Sequence, residues 1–280
     1  MRFAVAIASP PDYEHGEAFR EVAEGLHYGL LALGQDSVLT NRLDLDERRT
    51  IVLGSNLLAL YQLEPPKDPI LYNLEQVEGA SWAYATTPLL GLFKRYPVWD
   101  YSEANIEHLV SWHVPRPTHV PIGYVPQLTR IASAPEDIDV LFYGSLNDRR
   151  RLILDKLQKR GLRVKWLFGV YGASRDAWIA RSKIVINIHF FEAKVFEIAR
   201  VSYLLANRRA VVSERGAHPN DERDLEAGIA LAEYDELVDR CVELIGDERA
   251  RNDLGERGYN AFCSRSQAAI LHRALSAGLD

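Results

Sequence analysis

The stretch IDVLFYGSLNDRRR, Ile138–Arg151, sets an apolar run directly before a glycine turn and three arginines. The run up to Phe142 is typical of a strand that is buried on both faces of a parallel sheet. Ser145 and Asn147 follow Gly144 as residues that could cap a helix or donate hydrogen bonds. Two interpretations are open at this point. Either a β–α turn leads into a helix that begins with solvated arginines, or the turn holds a phosphate group.

The same alternation of apolar and helical segments continues on both sides of this stretch. FAVAIA at 3–8 predicts a first buried strand, KIVINIHF at 183–190 predicts a later one, and the acidic, proline-containing APED at 134–137 separates two halves. Strands alternating with helices favour parallel sheets with right-handed crossovers. We therefore expect an α/β fold with two Rossmann-like lobes that face each other across a cleft. The first lobe spans 1–132, the second spans 133–262, and a C-terminal helix at 263–280 packs back on the first.

Composition and charge argue against a nucleic-acid-binding protein and against a transmembrane protein. The chain has 280 residues, 47% of them hydrophobic, and a formal net charge of −6, which argues against a general nucleic-acid binder. No apolar run approaches the roughly 20 residues that span a bilayer, so we expect no transmembrane segment, and peripheral membrane contact stays open. The first apolar run is followed by turn and acidic residues, unlike a signal peptide, and we expect a cytoplasmic protein.

Three predicted strand ends of the second lobe carry polar residues. Ligands bind at the carboxyl ends of parallel strands, where helix N-termini direct N–H groups at anions. The candidates are Gly144, Ser145, Arg149 and Arg150 after the first strand, Asn187 and His189 at the second, and Glu197, Arg200 and Glu214 around the third. Arginine forks match phosphate oxygens, and a carboxylate near a helix start can accept two sugar hydroxyls. The alternatives are solvated arginines, a structural histidine and a Glu–Arg surface pair worth under about 1 kcal/mol.

These segments together resemble a known family. The order of strand, glycine and arginine-rich helix, then INIH at 186–189, then KVFEIARVSYLLANRRAVVSE at 194–214, is similar to the C-terminal half of GT-B glycosyltransferases. More narrowly, it resembles bacterial enzymes of the spore-coat or glycosyl-transferase-family-1-like type. HVPIGYVP at 119–126 resembles the element that ends their first lobe.

The resemblance implies a donor site for a nucleotide sugar. It implies that Glu197 contacts the donor ribose and that the Gly144 loop, with Arg149 or Arg150, faces the diphosphate. Retaining members of the family often pair two glutamates eight positions apart, and that spacing from Glu197 reaches Leu205. Retention of configuration is therefore not carried over to this chain.

Polar loops in the first lobe supply candidates for the acceptor side. Asp12 and His15 lie in the loop after the first strand, where a general base is expected, and histidine is the side chain that most often serves as a general base. Candidates for binding acceptor hydroxyls are Asn73, Glu75, Asp100 and Asn105. The alternatives are a hydrophilic loop with an acidic first helical turn for Asp12 and His15, and ordinary turn chemistry for the other residues.

The combined expectation is an enzyme that moves a sugar from a nucleotide diphosphate sugar to a hydroxyl of a sugar, glycan or other acceptor. We expect no metal and no cofactor besides that co-substrate. The triplet DLD at 44–46 lacks a preceding apolar strand, and helix dipoles with arginines can carry the leaving diphosphate. The alternative is a non-catalytic two-lobe protein that binds nucleotides or sugars. A dinucleotide-dependent oxidoreductase does not fit the sequence. ASPPDY at 8–13, after the first predicted strand, lacks the glycines that let the backbone approach the pyrophosphate of a dinucleotide.

Overall fold

The computed structural model describes residues 1–10, 13–77, 86–191 and 193–277. It divides into two compact units, Met1–Val125 with Arg265–Asp280 and Pro126–Ser264. The predicted lobes were divided at 132/133 and the C-terminal helix was set to begin at 263, whereas the units change at 125/126 and 264/265. Each unit is a parallel sheet with helices, so the α/β class is confirmed.

The first unit contains a parallel sheet in which the strand order is β2-β1-β3-β4-β5-β6. The strands are β1 Arg2–Ile7, β2 Asp36–Thr40, β3 Arg49–Leu53, β4 Pro69–Asn73, β5 Val98–Asp100 and β6 Thr118–His119. The helices of this unit are α1 Arg20–Ala32, α2 Ser55–Leu60, α3 Thr86–Arg95, α4 Glu103–Ser111 and α10 Gln267–Ala277. The run from Phe3 to Ala8 is fully buried, as its continuous apolar character predicts for an inner strand.

Helix α10 returns to the first unit and packs against α1. A Cβ on Gly29 would lie 2.8 Å from Leu271 Cδ1 and 3.0 Å from Gln267 Cγ, so the glycine permits the close approach of the two helices. Gln267 Oε1 also accepts a hydrogen bond of 2.7 Å from the backbone N–H of Gly123. These contacts join the end of the chain to the segment that follows β6.

The second unit has a parallel sheet with the order β11-β10-β9-β7-β8. Its strands are β7 Ile138–Tyr143, β8 Val164–Leu167, β9 Ser182–Asn187, β10 Val211–Glu214 and β11 Ala230–Ala232. Its helices are α5 Asp148–Lys159, α6 Gly172–Ala180, α7 Ile198–Ala206, α8 Leu237–Gly246 and α9 Glu248–Cys263. Val140, Phe142, Ile184, Ile186 and Val212 supply strand residues to a core under α5 and α8. None of the helices in the described ranges combines the length and apolar character that crossing a membrane requires.

Candidate functional site

Three neighbouring strands of the second unit end at one edge of its sheet with residues that the sequence singled out. β9 lies between β10 and β7, so Gly144, Asn187 and Glu214 meet at that edge. His189 follows Asn187 by two residues, and Glu197 directly precedes α7. The parallel topology thus brings together residues from distant parts of the chain, as the sequence predicted.

Gly144 makes the turn after β7 in a conformation that favours glycine. Its φ is 135°, and a Cβ at this position would lie 2.9 Å from Arg200 Nη2. The absence of a side chain therefore leaves space for the Arg200 guanidinium beside the turn. Asn147 then caps α5, because its Oδ1 accepts a bond of 2.9 Å from the backbone N–H of Arg150. Asn147 Nδ2 donates to the Phe190 carbonyl at 2.9 Å, which ties the turn to the segment after β9.

Arg149 binds the buried carboxylate of Glu214 through both arms of its guanidinium. The Nη1–Oε2 distance is 2.6 Å, and Nη2 donates to Oε1. The same carboxylate accepts a bond of 3.1 Å from the backbone N–H of His189 and lies 3.4 Å from Lys194 Nζ. The guanidinium carbon of Arg149 stands 4.0 Å from the ring centroid of Tyr234, whose hydroxyl donates to the Arg149 carbonyl at 2.7 Å.

Arg150 is the most deeply buried cation of this edge, with a side chain that is 3% exposed. Its Nη2 donates to Glu197 Oε1 at 2.7 Å, its Nε to the Ile188 carbonyl at 2.8 Å, and its Nη1 to the Ser145 carbonyl at 2.9 Å. The Ser145 side chain itself is exposed. Arg150 is therefore held by the turn after β7, by the end of β9 and by the start of α7.

Arg200 completes the second ion pair of the edge. Its Nη1 lies 2.7 Å from Glu197 Oε2 and donates to Asn187 Oδ1 at 2.8 Å. Asn187 Nδ2 in turn donates to Ser213 Oγ at 3.0 Å. The Glu197–Arg200 pair predicted from i,i+3 spacing is present, but it is largely buried and shared with Arg150 rather than a surface pair.

The electrostatics of the edge keep both carboxylates ionised. The arginine cluster, as we call it, consists of Arg149, Arg150, Lys194, Arg200, Glu197 and Glu214. Burial opposes the charge of Glu197 and Glu214, yet the pKa of each lies below its ordinary value because guanidinium groups face it. Burial lowers the pKa of Arg150 to about 10, which leaves it protonated at neutral pH. Four cations against two carboxylates give the described part of the cluster a net charge of +2.

Two exposed aromatic side chains lie beside this edge, and neither is among the residues predicted from the sequence. Trp166 and Phe168, at the end of edge strand β8, are 44% and 53% exposed. Trp166 Nε1 donates to the Gly144 carbonyl at 2.8 Å. Strand alternation with the buried Leu167 is the signal that could have found them, since it directs both rings away from the core.

The four predicted acceptor residues do come together at the ends of β4 and β5. Asn73 Nδ2 donates to Asp100 Oδ2 at 2.6 Å, and Asn105 Nδ2 donates to Asp100 Oδ1 at 3.1 Å. The backbone N–H of Ser102 also donates to Asp100 Oδ1, at 2.9 Å, and both amides bond the Glu75 carbonyl at 3.0 Å. Asn73, Asp100 and Asn105 are fully buried and bind one another, whereas Glu75 is partly exposed. Burial raises the pKa of Asp100 to about 7.

Of the two candidate general bases, Asp12 and His15, the structure describes only His15. Asp12 lies outside the described residues. His15 lies in a 3₁₀ helix, Glu14–Phe19, that joins β1 to α1, and its side chain is exposed. Its ring stands 5.5 Å from that of Tyr13 in an edge-to-face contact. The structure therefore places His15 after the first strand, where the sequence predicted it, and shows an accessible imidazole.

Solved structures share this architecture along the whole chain. HepE of Anabaena, determined in complex with UDP-glucose, matches with a TM-score of 0.64 at 12% identity over 99% of both chains. AviGT4, a glycosyltransferase involved in avilamycin A biosynthesis, matches with a TM-score of 0.61 at 15% identity over 99% of this chain and 96% of its own. The chain has the GT-B fold. Sucrose-phosphate synthase of Thermosynechococcus elongatus shares this GT-B fold, with a TM-score of 0.60 at 12% identity.

Sequence relatives of this GT-B chain come from a virus. No protein-family model matches it. Uncharacterized protein L140 of Acanthamoeba polyphaga mimivirus is 31% identical over 196 residues, which is 66% of this chain. Uncharacterized protein L137 of the same virus is 28% identical over 199 residues, 68% of this chain. The chain spans 62% of the length of L140 and 26% of that of L137. The narrower resemblance to bacterial enzymes therefore finds no support in these relatives, while the resemblance to the GT-B fold is confirmed.

Proposed function

We propose that the chain is a glycosyltransferase that moves a sugar from a nucleotide diphosphate sugar to an acceptor hydroxyl without a metal ion. One observation carries the proposal, namely the net charge of +2 in the largely buried arginine cluster. An uncompensated charge in a buried site is costly unless a counter-charge meets it. The diphosphate of a nucleotide sugar carries two negative charges, which match the cluster. The cations of the chain thus supply the charge that a metal would otherwise bring.

The roles of single residues follow from the chemistry of each group. Arg149 and Arg150 present planar forks that suit phosphate oxygens and stabilise the diphosphate as it leaves. Glu197, at the start of α7, accepts hydroxyls of the donor ribose. The exposed rings of Trp166 and Phe168 offer faces on which a nucleobase stacks. UDP-glucose bound to the GT-B protein HepE supports a uridine diphosphate sugar as the first donor to test.

The acceptor side is a proposal of the same kind. We assign the general base to His15 or Asp12, and the exposure of His15 supports its choice. Of the predicted acceptor residues Asn73, Glu75, Asp100 and Asn105, Glu75 is partly exposed and can meet an acceptor hydroxyl. The other three position Glu75 through the hydrogen bonds of their buried network.

Calorimetry with UDP, GDP, dTDP and their sugars tests the donor site. We expect one nucleotide series to bind the wild-type chain and Arg149→Gln to weaken that binding by about tenfold, or about 1.4 kcal/mol. Arg163→Gln is the matched control, because Arg163 pairs with Asp139 near the start of β7, at the opposite edge of the same sheet. Absence of binding for all of these compounds, or equal losses in both variants, would contradict the donor site.

Turnover separates an enzyme from a binding protein. Release of nucleoside diphosphate from the bound nucleotide sugar, faster in the presence of an acceptor mixture, is the expected result. His15→Ala should lower the rate and leave nucleotide affinity unchanged, because His15 belongs to the first unit. Tight nucleotide binding without turnover for any sugar, glycan or alcohol would leave the non-catalytic binding protein as the function.

A further inference from the structure

His189 is a buried residue whose side chain makes no hydrogen bond to any residue that the structure describes. It is 0% exposed, and neither Nδ1 nor Nε2 has a hydrogen-bond partner among the described residues. Its main chain, in contrast, is fixed on both sides: the N–H donates to Glu214 Oε2 at 3.1 Å, and the carbonyl accepts from Arg149 Nη1 at 3.1 Å. The position of the imidazole is thus set by the arginine cluster, while its own polar atoms are left unsatisfied.

An unsatisfied buried imidazole is energetically unfavourable. Leaving a buried donor or acceptor without a partner costs about 1–3 kcal/mol, and most native polar groups avoid it. A histidine kept only for packing would be replaced by an apolar side chain of similar size without that cost. The neighbouring Asn187 shows the usual solution, since its side chain bonds both Arg200 and Ser213. The unsatisfied atoms of His189 therefore indicate a ligand.

The charge state of His189 determines which ligand group it suits. Burial lowers its pKa from the ordinary value, and this outweighs the attraction of the nearby Glu197 and Glu214. The ring is neutral at neutral pH, with one nitrogen that donates and one that accepts. Ionised phosphate oxygens only accept, and the guanidinium forks of Arg149 and Arg150 suit them better. A hydroxyl both donates and accepts, so it satisfies a neutral imidazole.

We propose that His189 binds a sugar hydroxyl next to the diphosphate of the donor, on the ribose or on the transferred sugar. This inference rests on the proposed function, because it takes the donor to be a nucleotide sugar. The His189 ring is buried, so the hydroxyl reaches it only if the side chains that cover it move. Phe190 now stacks on Arg150, with the guanidinium carbon 5.1 Å from the ring centroid.

Two variants of His189 test the assignment. His189→Phe keeps an aromatic ring, somewhat larger than the imidazole, and removes both nitrogens, whereas His189→Asn keeps a donor and an acceptor on a shorter side chain. The probes are pyrophosphate, which has no hydroxyl-bearing sugar, UDP, which has the ribose, and UDP-glucose, which has both sugars. Affinity is measured by calorimetry and the midpoint of thermal unfolding by calorimetric scanning, for the wild-type chain and both variants.

We expect His189→Phe to keep or raise the unfolding midpoint of the ligand-free chain and to leave pyrophosphate affinity within twofold. Affinity for UDP-glucose should fall by about tenfold, with partial recovery in His189→Asn. An equal loss for UDP assigns the hydroxyl to the ribose, and a loss confined to UDP-glucose assigns it to the transferred sugar. Unchanged affinity for all probes, or an equal loss for pyrophosphate, would overturn the inference. A wild-type chain that binds neither UDP nor UDP-glucose refutes the donor proposal itself, which is a separate result.

Discussion

Replacing Asp100 by asparagine should change how the stability of the first unit depends on pH. Burial raises the pKa of Asp100 from 3.8 to about 7, so the folded chain holds a proton that the unfolded chain releases between these values. The unfolded state then binds fewer protons, and the free energy of unfolding falls as pH rises. From pH 5 to pH 8 the loss from this one group is about 2.5 kcal/mol, at 1.36 kcal/mol per pKa unit.

Asp100→Asn removes this titration and adds a cost that does not depend on pH. Its amide nitrogen must face a donor, either Asn73 Nδ2 or the pair formed by Asn105 Nδ2 and the Ser102 N–H, and this costs about 1–3 kcal/mol. We therefore expect the stability of the wild-type chain relative to the variant to fall by about 2.5 kcal/mol between pH 5 and pH 8.

Urea unfolding followed by far-ultraviolet circular dichroism, at pH 5, 6, 7 and 8, measures the difference. Burial also raises the pKa of Glu222, in the second unit, to about 7. The free energy of unfolding therefore falls with rising pH because of Glu222 as well as Asp100. The contribution of Glu222 is the same in both proteins and cancels when they are compared. A difference between wild type and variant that stays constant within about 0.5 kcal/mol from pH 5 to 8 would refute a protonated Asp100.

Three further substitutions probe the second unit. Gly144→Ala should cost about 1–3 kcal/mol in urea unfolding and weaken nucleotide binding, because a Cβ at φ 135° displaces Arg200; unchanged affinity would contradict this. Glu197→Gln should destabilise by about 3 kcal/mol, because two guanidinium groups lose their counter-charge. Pyrophosphate should raise the unfolding midpoint of this variant more than that of the wild-type chain, and an equal rise would oppose the charge argument. Gly228→Ala should lower the midpoint without affecting nucleotide affinity, because a Cβ there overlaps the Gly258 backbone; full stability would show that α9 can shift.

The sequence predicted the elements of the second unit because buried parallel strands have a simple pattern. The run before Gly144 is β7, the run before His189 is β9, and Asn147 caps the helix between the turn and Lys159. Each of these assignments rests on local chemistry: apolar continuity, a glycine turn and a capping side chain. The location of the candidate residues at one edge also followed, because parallel strands align their carboxyl ends.

The pairings at that edge were beyond the reach of the sequence. A run of arginines after a turn does not say that Arg149 binds Glu214 or that Arg150 binds Glu197, because strand order decides which ends are neighbours. The contact of Lys194 with Glu214 could not be predicted from the sequence either. Lys194 has a φ of 50°, a conformation that is uncommon for residues other than glycine and that the sequence does not indicate.

Both units have polar side chains at the ends of their strands, but the two sets differ in how completely they are hydrogen-bonded and charge-balanced. In the first unit, Asn73 and Asn105 satisfy both oxygens of Asp100, so this buried carboxyl group has its partners within the protein. Among the described residues of the second unit, ion pairing leaves the arginine cluster a net charge of +2, and the imidazole of His189 has no hydrogen bond. Selection for stability alone favours the first arrangement, since unsatisfied buried groups reduce it. The incomplete network is therefore the one that we propose to bind a ligand.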